Sequence, residues 1–79
     1  MTKYQPIDCN YYDRLEAWST RNEMVKILFW EDGKQKEIEA IIQNIYTKNK
    51  EEFLVLNNGL EIRLDHLIAV NGIPVPNAC

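Results

Sequence analysis

The side chains that could do chemistry are few in this chain, and their spacing does not form a catalytic set. The single histidine, His66, lies in a predicted strand with no serine, cysteine or threonine nucleophile next to it. Carboxylates occur as the pairs Glu37 with Glu39 and Glu51 with Glu52, on predicted solvent faces or loops where no pocket separates an acid from a base. The three glycines fall in turns or in the tail rather than in a phosphate-binding loop. The sequence therefore predicts no enzymatic activity.

The two cysteines do not form a metal or redox motif. Cys9 and Cys79 stand near opposite ends of the chain and, with one histidine, supply too few ligands for a four-coordinate zinc site. A disulfide between them is not expected, because the last residue of a chain usually frays and a cytosolic thiol is kept reduced. We therefore expect Cys9 to be a small buried apolar residue, and the chain to bind no metal and no cofactor.

Length and charge restrict the class of protein further. With 79 residues, of which 46% are hydrophobic and 27% charged, the chain should fold as one globular domain. The longest apolar run, residues 27–30, is too short to cross a membrane, and the start has no signal-peptide pattern, which favours a cytoplasmic location. The 12 acidic and 9 basic residues give a net charge of −3. That sign disfavours binding to a nucleic-acid backbone and favours a basic partner.

A helix is predicted near the start of the chain, at about residues 10–21. Asp8 or Asn10 can cap it, because a short polar side chain can accept a hydrogen bond from the first backbone N–H groups. Asn10 with Asp13 also resembles a capping box with a shorter acid. The buried face should be formed by the apolar residues at helical spacing, Tyr11, Leu15 and Trp18.

From Met24 onward the pattern is typical of short strands joined by hairpins. Apolar and polar residues alternate, and Asp32-Gly33 gives a strong two-residue hairpin signal. Gln43-Asn44 marks a bend, and Lys48-Asn49-Lys50 is a polar loop. The remaining strands are predicted near residues 53–56, 60–64 and 67–70.

One helix followed by about five short strands must bury the apolar faces of its sheet. A flat open sheet of this size would leave its edges exposed, whereas a bent sheet can close on itself. The fold predicted is therefore mostly β with one N-terminal α-helix, a small Sm-like bent-sheet barrel over about residues 23–71. The corner lies at Gln43-Asn44, the helix covers one opening, and a Pro-rich tail at about 72–79 is flexible.

The outer side of the helix leaves two interpretations open. Asp13 and Glu16 could simply favour the positive end of the helix dipole, or they could contact a partner. Tyr12 shares a helical face with Glu16 and could be a half-buried surface tyrosine or a contact residue. Trp18, Phe29 and Phe53 are better explained as core residues than as a base-stacking platform, because acids crowd the same strands.

The opening residues also carry a family resemblance. Tyr4-Gln5-Pro6-Ile7-Asp8-Cys9, followed by Tyr12-Asp13 and Leu15-Glu16, resembles the start of the Rof-type Rho-binding antiterminators, also called modulators of Rho-dependent transcription termination. The similarity extends over about Tyr4 to Val70, in order and with similar spacing. It includes the Asp32-Gly33 hairpin, the Lys48-Asn49 loop, and the strands at 53–55 and 62–65.

The resemblance implies an Sm-like barrel with an N-terminal helix and no enzymatic activity. Members of this family bind the N-terminal, primary RNA-binding domain of the hexameric bacterial termination factor Rho. They thereby keep RNA from loading and inhibit termination. Carried over by motif position, the partner-binding residues would be Asn10, Tyr12, Asp13 and Glu16 on the helix, supported by Lys48 and Asn49 from a loop.

One departure and two alternatives accompany this hypothesis. Asn10 and Tyr11 stand where some relatives have acids, so the helix start is less negative here. The alternatives are an Sm-like RNA-binding module and an acidic adaptor for another basic protein. For the first hypothesis we expect a monomer when free, no direct contact with nucleic acid and no association with a membrane.

Overall fold

The structure, a computed structural model that describes residues 7–76, contains one helix and a six-stranded antiparallel sheet. The predicted class, mostly β with one N-terminal helix, is confirmed. A short 3₁₀ helix, Leu64–His66, separates the fourth and fifth strands. The elements are α1 (Cys9–Thr20), β1 (Met24–Glu31), β2 (Lys34–Lys48), β3 (Glu51–Leu56), β4 (Glu61–Arg63), β5 (Leu67–Val70) and β6 (Ile73–Pro74).

Polar residues set both ends of helix α1. Asp8 is the N-cap, and its carboxylate accepts a hydrogen bond from the backbone N–H of Tyr11 at 3.2 Å. Asn10 lies inside the first turn, so its predicted role as a cap is wrong. At the other end Arg21 is the C-cap, and Asn22 has a φ of 51°, a left-handed conformation that asparagine tolerates better than most residues. The helix therefore stops without a glycine.

Two tight turns connect β1, β2 and β3. Asp32 and Gly33 have φ values of 53° and 74°, so both central residues adopt the left-handed conformation that a two-residue hairpin requires. The hairpin prediction is confirmed. Asn49 and Lys50 form the second turn, with φ values of 53° and 65°. The predicted three-residue loop is one residue shorter, because Lys48 is the last residue of β2.

A bulge divides the long strand β2 into two halves. The first half pairs with β1, and the register of the second half with β3 shifts between Ile42 and Asn44. Gln43 is thus the extra residue of a β-bulge, which bends a strand and increases its twist. The predicted corner at Gln43-Asn44 is confirmed, although it bends one 15-residue strand rather than separating two strands.

The sheet is strongly bent, but its hydrogen-bonded ladder is not closed. The strand order is β4-β3-β2-β1-β5-β6, so β4 and β6 are the terminal strands. The number of strands is six rather than the five expected. The concave face and the helix together enclose the core, whose fully buried large side chains are Leu15, Val25, Ile27, Ile42, Leu54, Leu56, Leu64 and Val70.

Helix α1 is held to the sheet by Tyr11, which is buried. Its hydroxyl donates a hydrogen bond to the carbonyl oxygen of Ile73 at 2.6 Å and accepts one from the backbone N–H of Val70 at 3.0 Å. Its ring meets Trp18 edge-to-face, with centroids 6.4 Å apart. Burial raises the pKa of the Tyr11 phenol, although the hydrogen bond from Val70 and the charge of Arg14 act in the opposite direction.

The segment predicted as a flexible tail belongs to the sheet over part of its length. Ile73–Pro74 forms β6 beside β5, and the N–H of Val75 donates to the carbonyl of Ile68 at 2.9 Å. The N–H of Asp8 donates to the carbonyl of Pro76 at 3.3 Å. A proline is tolerated here because a terminal strand can spare one N–H donor. The prediction is wrong for residues 73–76, whereas residues 77–79 lie outside the described part.

Three smaller predictions are also wrong. His66 is exposed in the 3₁₀ helix rather than in a strand, because β4 ends at Arg63. Phe53 is only partly buried and stacks on Tyr46, with ring centroids 5.2 Å apart. Cys9 is exposed in the first helical turn and is disulfide-bonded rather than buried as a small apolar residue. The other cysteine and residues 4–6 of the opening motif lie outside the described residues.

The Tyr11 hydroxyl provides a first prediction. Tyr11→Phe should lower the free energy of unfolding by about 1–3 kcal/mol, because it leaves the Val70 N–H and the Ile73 carbonyl without their shared partner. Urea unfolding measures this change. The matched control is Tyr12→Phe, since the Tyr12 hydroxyl makes no hydrogen bond within residues 7–76. An equal loss in both variants would contradict the role assigned to Tyr11.

The two tryptophans provide a second prediction. Trp18 is 7% exposed and Trp30 is 45% exposed, so the same substitution tests burial at both positions. Trp18→Ala should destabilise the protein by about 3–5 kcal/mol through lost burial and a cavity. Trp30→Ala should cost much less. Similar midpoints in thermal unfolding of the two variants would show that Trp18 does not contribute to the core as the structure indicates.

Candidate protein-interaction surface on the N-terminal helix

The outer side of α1 is anchored by Tyr12, which is half-buried against the core. The pKa of its phenol is raised, first by burial and then by the nearby carboxylates of Glu52 and Glu16. Glu16 lies one helical turn along α1, whereas Glu52 belongs to β3. Tyr12 therefore lies on the side of helix α1 that is near the β2–β3 hairpin.

A small pocket shows how the helix lies along β2. It has a volume of about 120 Å³ and is lined by Glu16, Ser19 and Thr20 of α1 together with Asn44 and Ile45 of β2. The C-terminal half of the helix thus lies beside the bulge that bends β2.

The N-terminal half of the helix lies near the turn end of the β2–β3 hairpin. Glu52, which lies near Tyr12, pairs with Thr47 in the β2–β3 ladder. The next pair along the ladder is Lys48 with Glu51, directly before the Asn49–Lys50 turn. The Tyr12 end of α1 is therefore directed toward that turn.

The structure places the six predicted contact residues in two neighbouring groups. Asn10, Asp13 and Glu16 follow one another at three-residue spacing along α1, and all three are exposed. Tyr12 lies one turn before Glu16, where the charge of Glu52 from β3 also acts on it. The second group is exposed at the end of the hairpin and consists of Lys48 and Asn49. We define these six residues as the helix surface.

The two carboxylates of the helix surface lack the direct ion pairs that some acids near the sheet form. Within residues 7–76, neither Asp13 nor Glu16 forms an ion pair. Glu51, by contrast, accepts a hydrogen bond from the guanidinium of Arg63 at 3.3 Å, and Glu31 accepts one from Lys36 at 2.6 Å. Arg14 lies between Asp13 and Glu16 in the helix sequence, and both carboxylates are exposed to solvent.

Sequence reasoning missed Glu52 and Asn44, which the fold brings to the edge of the helix surface. In the sequence, Glu51 and Glu52 stand out only as paired carboxylates that could act as a catalytic acid and base. The position of Glu52 beside Tyr12 follows from the β2–β3 register and from the packing of α1, which no local pattern encodes. Alternation in β3 could have shown at most that Glu52 and Leu54 share a face.

The described residues offer little for other kinds of site. Within residues 7–76 no three side chains among His, Cys, Asp and Glu are grouped so as to hold a metal ion. In the same range no helix is both long and apolar enough to span a membrane.

A comparison of the chain with known proteins identifies its family. A family model described as modulator of Rho-dependent transcription termination (ROF) matches residues 6–77, nearly the whole 79-residue chain. None of the curated proteins matches the chain. The matched segment includes helix α1, all six strands and the two hairpin turns described above. The chain therefore belongs to the family of modulators of Rho-dependent transcription termination.

Proposed function

We propose that this protein inhibits Rho-dependent termination by binding the N-terminal, primary RNA-binding domain of Rho through the helix surface, so that RNA cannot load. Membership of the family implies Rho as the partner and a regulatory role. The observation that carries the finer proposal is the exposed pair Asp13 and Glu16, which form no ion pair within residues 7–76, on the same helix as the half-buried Tyr12. Its site of action would be the cytoplasm, where transcription is terminated.

The electrostatics of the two partners support competition with RNA. A surface that binds a phosphate backbone presents lysine and arginine side chains. The helix surface offers carboxylates to such a surface, and the whole chain carries a net charge of −3. Complementary charge speeds association and fixes orientation more than it adds affinity. Binding to Rho should accordingly weaken as the salt concentration rises.

The remaining residues of the helix surface have distinct roles in this proposal. Tyr12 would be the central anchor, because its partly buried ring loses little conformational freedom when a partner covers it. Asn10 would add hydrogen bonds at the start of the helix. Lys48 and Asn49 would make polar contacts at the rim, where the tight Asn49–Lys50 turn limits their movement.

Binding to Rho can be tested directly by calorimetric titration of the protein into purified Rho hexamers, with and without pre-bound C-rich RNA. We expect binding to free Rho and its loss when RNA occupies the primary sites. Simultaneous binding of protein and RNA would exclude occlusion. No binding to Rho, together with salt-sensitive binding to the RNA alone, would favour an Sm-like RNA-binding module. No binding to either would favour an acidic adaptor.

A charge reversal tests the helix surface itself. Asp13→Lys combined with Glu16→Lys should abolish binding to Rho and leave the fold intact, because both side chains are exposed. Each lost pair that is desolvated in the complex costs about 2–5 kcal/mol of binding free energy. The quantity measured is the Kd for Rho, with circular dichroism as the check on folding.

The matched control reverses two exposed acids away from the helix. Glu37→Lys with Glu39→Lys changes the net charge by the same amount, on the outer face of β2. This control should retain most of the affinity. Equal losses in both double variants would mean that only total charge matters, and wild-type affinity in the helix variant would exclude the helix surface as the contact.

A further inference from the structure

A second depression lies where the bent sheet fails to close. It is a cleft of about 230 Å³ between the end of β1 and the terminal strand β4, and we refer to it as the Trp30 cleft. β4 is hydrogen-bonded to β3, while β1 pairs with β5 only as far as Phe29, opposite Leu67. Beyond Phe29, the edge of β1 that pairs with β5 has no neighbouring strand and borders the cleft. None of the lining residues belongs to the helix surface.

The cleft contains an exposed large aromatic residue, Trp30. Trp30 is 45% exposed although it follows the buried Phe29 on the same strand. In the ladder it lies opposite Gln35, so no large apolar side chain is directly across from it. An exposed tryptophan at the mouth of a cleft is typical of a contact residue, because its rigid ring buries a large area at low entropic cost.

Three acidic residues line the same cleft as the indole of Trp30. The lining includes Glu31, Asp32 and Glu61. One oxygen of Glu31 accepts a hydrogen bond from Lys36 at 2.6 Å, and Glu61 accepts one from the hydroxyl of Tyr46. The Asp32 carboxylate forms no ion pair within residues 7–76. The charge of Asp32 acts on the ammonium of Lys36, but the two groups form no direct ion pair. The cleft therefore combines an exposed indole with acidic side chains.

The one arginine of the lining is already engaged. Arg63 donates to both carboxylate oxygens of Asp65, at 2.6 and 2.7 Å, and to Glu51 at 3.3 Å. Its charge is thus directed at two carboxylates of the chain. The other basic side chain of the lining is His66, whose imidazole lies 3.8 Å from the carboxylate of Asp65. With three acids in the lining, a cationic ligand would be stabilised in the cleft more than an anionic ligand such as a nucleotide.

We propose that the Trp30 cleft binds an arginine side chain of a partner protein. The guanidinium would stack on the Trp30 indole, and the Asp32 carboxylate would accept its hydrogen bonds. Arginine fits better than lysine, because a planar guanidinium can stack and donate to a carboxylate at the same time. This contact is separate from the helix surface and does not depend on Rho being the partner.

The two tryptophans make the proposal testable by NMR. The indole N–H signals of Trp30 and Trp18 are followed in ¹H–¹⁵N spectra while the peptide acetyl-Gly-Arg-Gly-amide is added to the intact protein, with Trp30→Phe assigning the signals. We expect a saturable shift of the Trp30 signal and none of the buried Trp18 signal. The matched acetyl-Gly-Glu-Gly-amide and uridine monophosphate should produce no saturable shift.

Two variants separate the contact from general charge attraction. Asp32→Asn preserves the turn, because asparagine also tolerates the φ of 53° at this position, and it should weaken binding of the arginine peptide about tenfold. Glu37→Gln removes an exposed acid outside the cleft and should leave the affinity unchanged. Absence of a saturable shift, preference for the nucleotide, or equal effects of the two variants would overturn the proposal. Because no arm contains Rho, its failure would leave the proposed function unaffected.

Discussion

The hydroxyl of Tyr11 is the interaction on which the arrangement of the helix depends. It bridges a backbone carbonyl of β6 and a backbone N–H of β5, so a single buried side chain joins the first element of the chain to the last two. The hydrogen bond between Asp8 and Pro76 supports the same junction. Because Tyr11 faces the core, the next residue, Tyr12, lies half-buried at the edge of the helix, where the charge of Glu52 from β3 acts on it. The candidate binding surface is thus oriented by a core contact.

The bulge at Gln43 is the second constraint, because it lets one strand serve two halves of the sheet. The first half of β2 carries the β1 hairpin and the second half carries β3, and α1 lies along the second. A straight strand would leave the concave core open on one side. The same bending leaves β4 and the end of β1 unpaired with each other, which creates the Trp30 cleft.

The chain carries a net charge of −3, and within residues 7–76 only some of its acidic side chains are paired with basic ones. Arg63 compensates the acids near β3 and β4, and Lys36 compensates Glu31 at the hairpin. The carboxylates that the described chain leaves without an ion pair include Asp13 on the helix and Asp32 beside Trp30. Both carboxylates are exposed to solvent.

Neighbouring residues determined much of the fold. The helical spacing of Tyr11, Leu15 and Trp18 identified the buried face of α1. Asp32-Gly33 identified the first hairpin and Gln43-Asn44 the bend, because turns and bulges depend on the backbone preferences of adjacent residues. The opening motif also indicated the family that the comparison shows.

Tertiary structure alone decided which distant residues meet. The pairing of Ile73–Pro74 with β5, the position of Glu52 beside Tyr12, and the cleft between β1 and β4 follow from register and packing between segments far apart in the chain. His66 lies in a 3₁₀ helix rather than in a strand, because β4 ends where the chain turns back to pair with β1. Local sequence encodes backbone preference, whereas these contacts depend on burial and hydrogen bonds that exist only after the segments have come together.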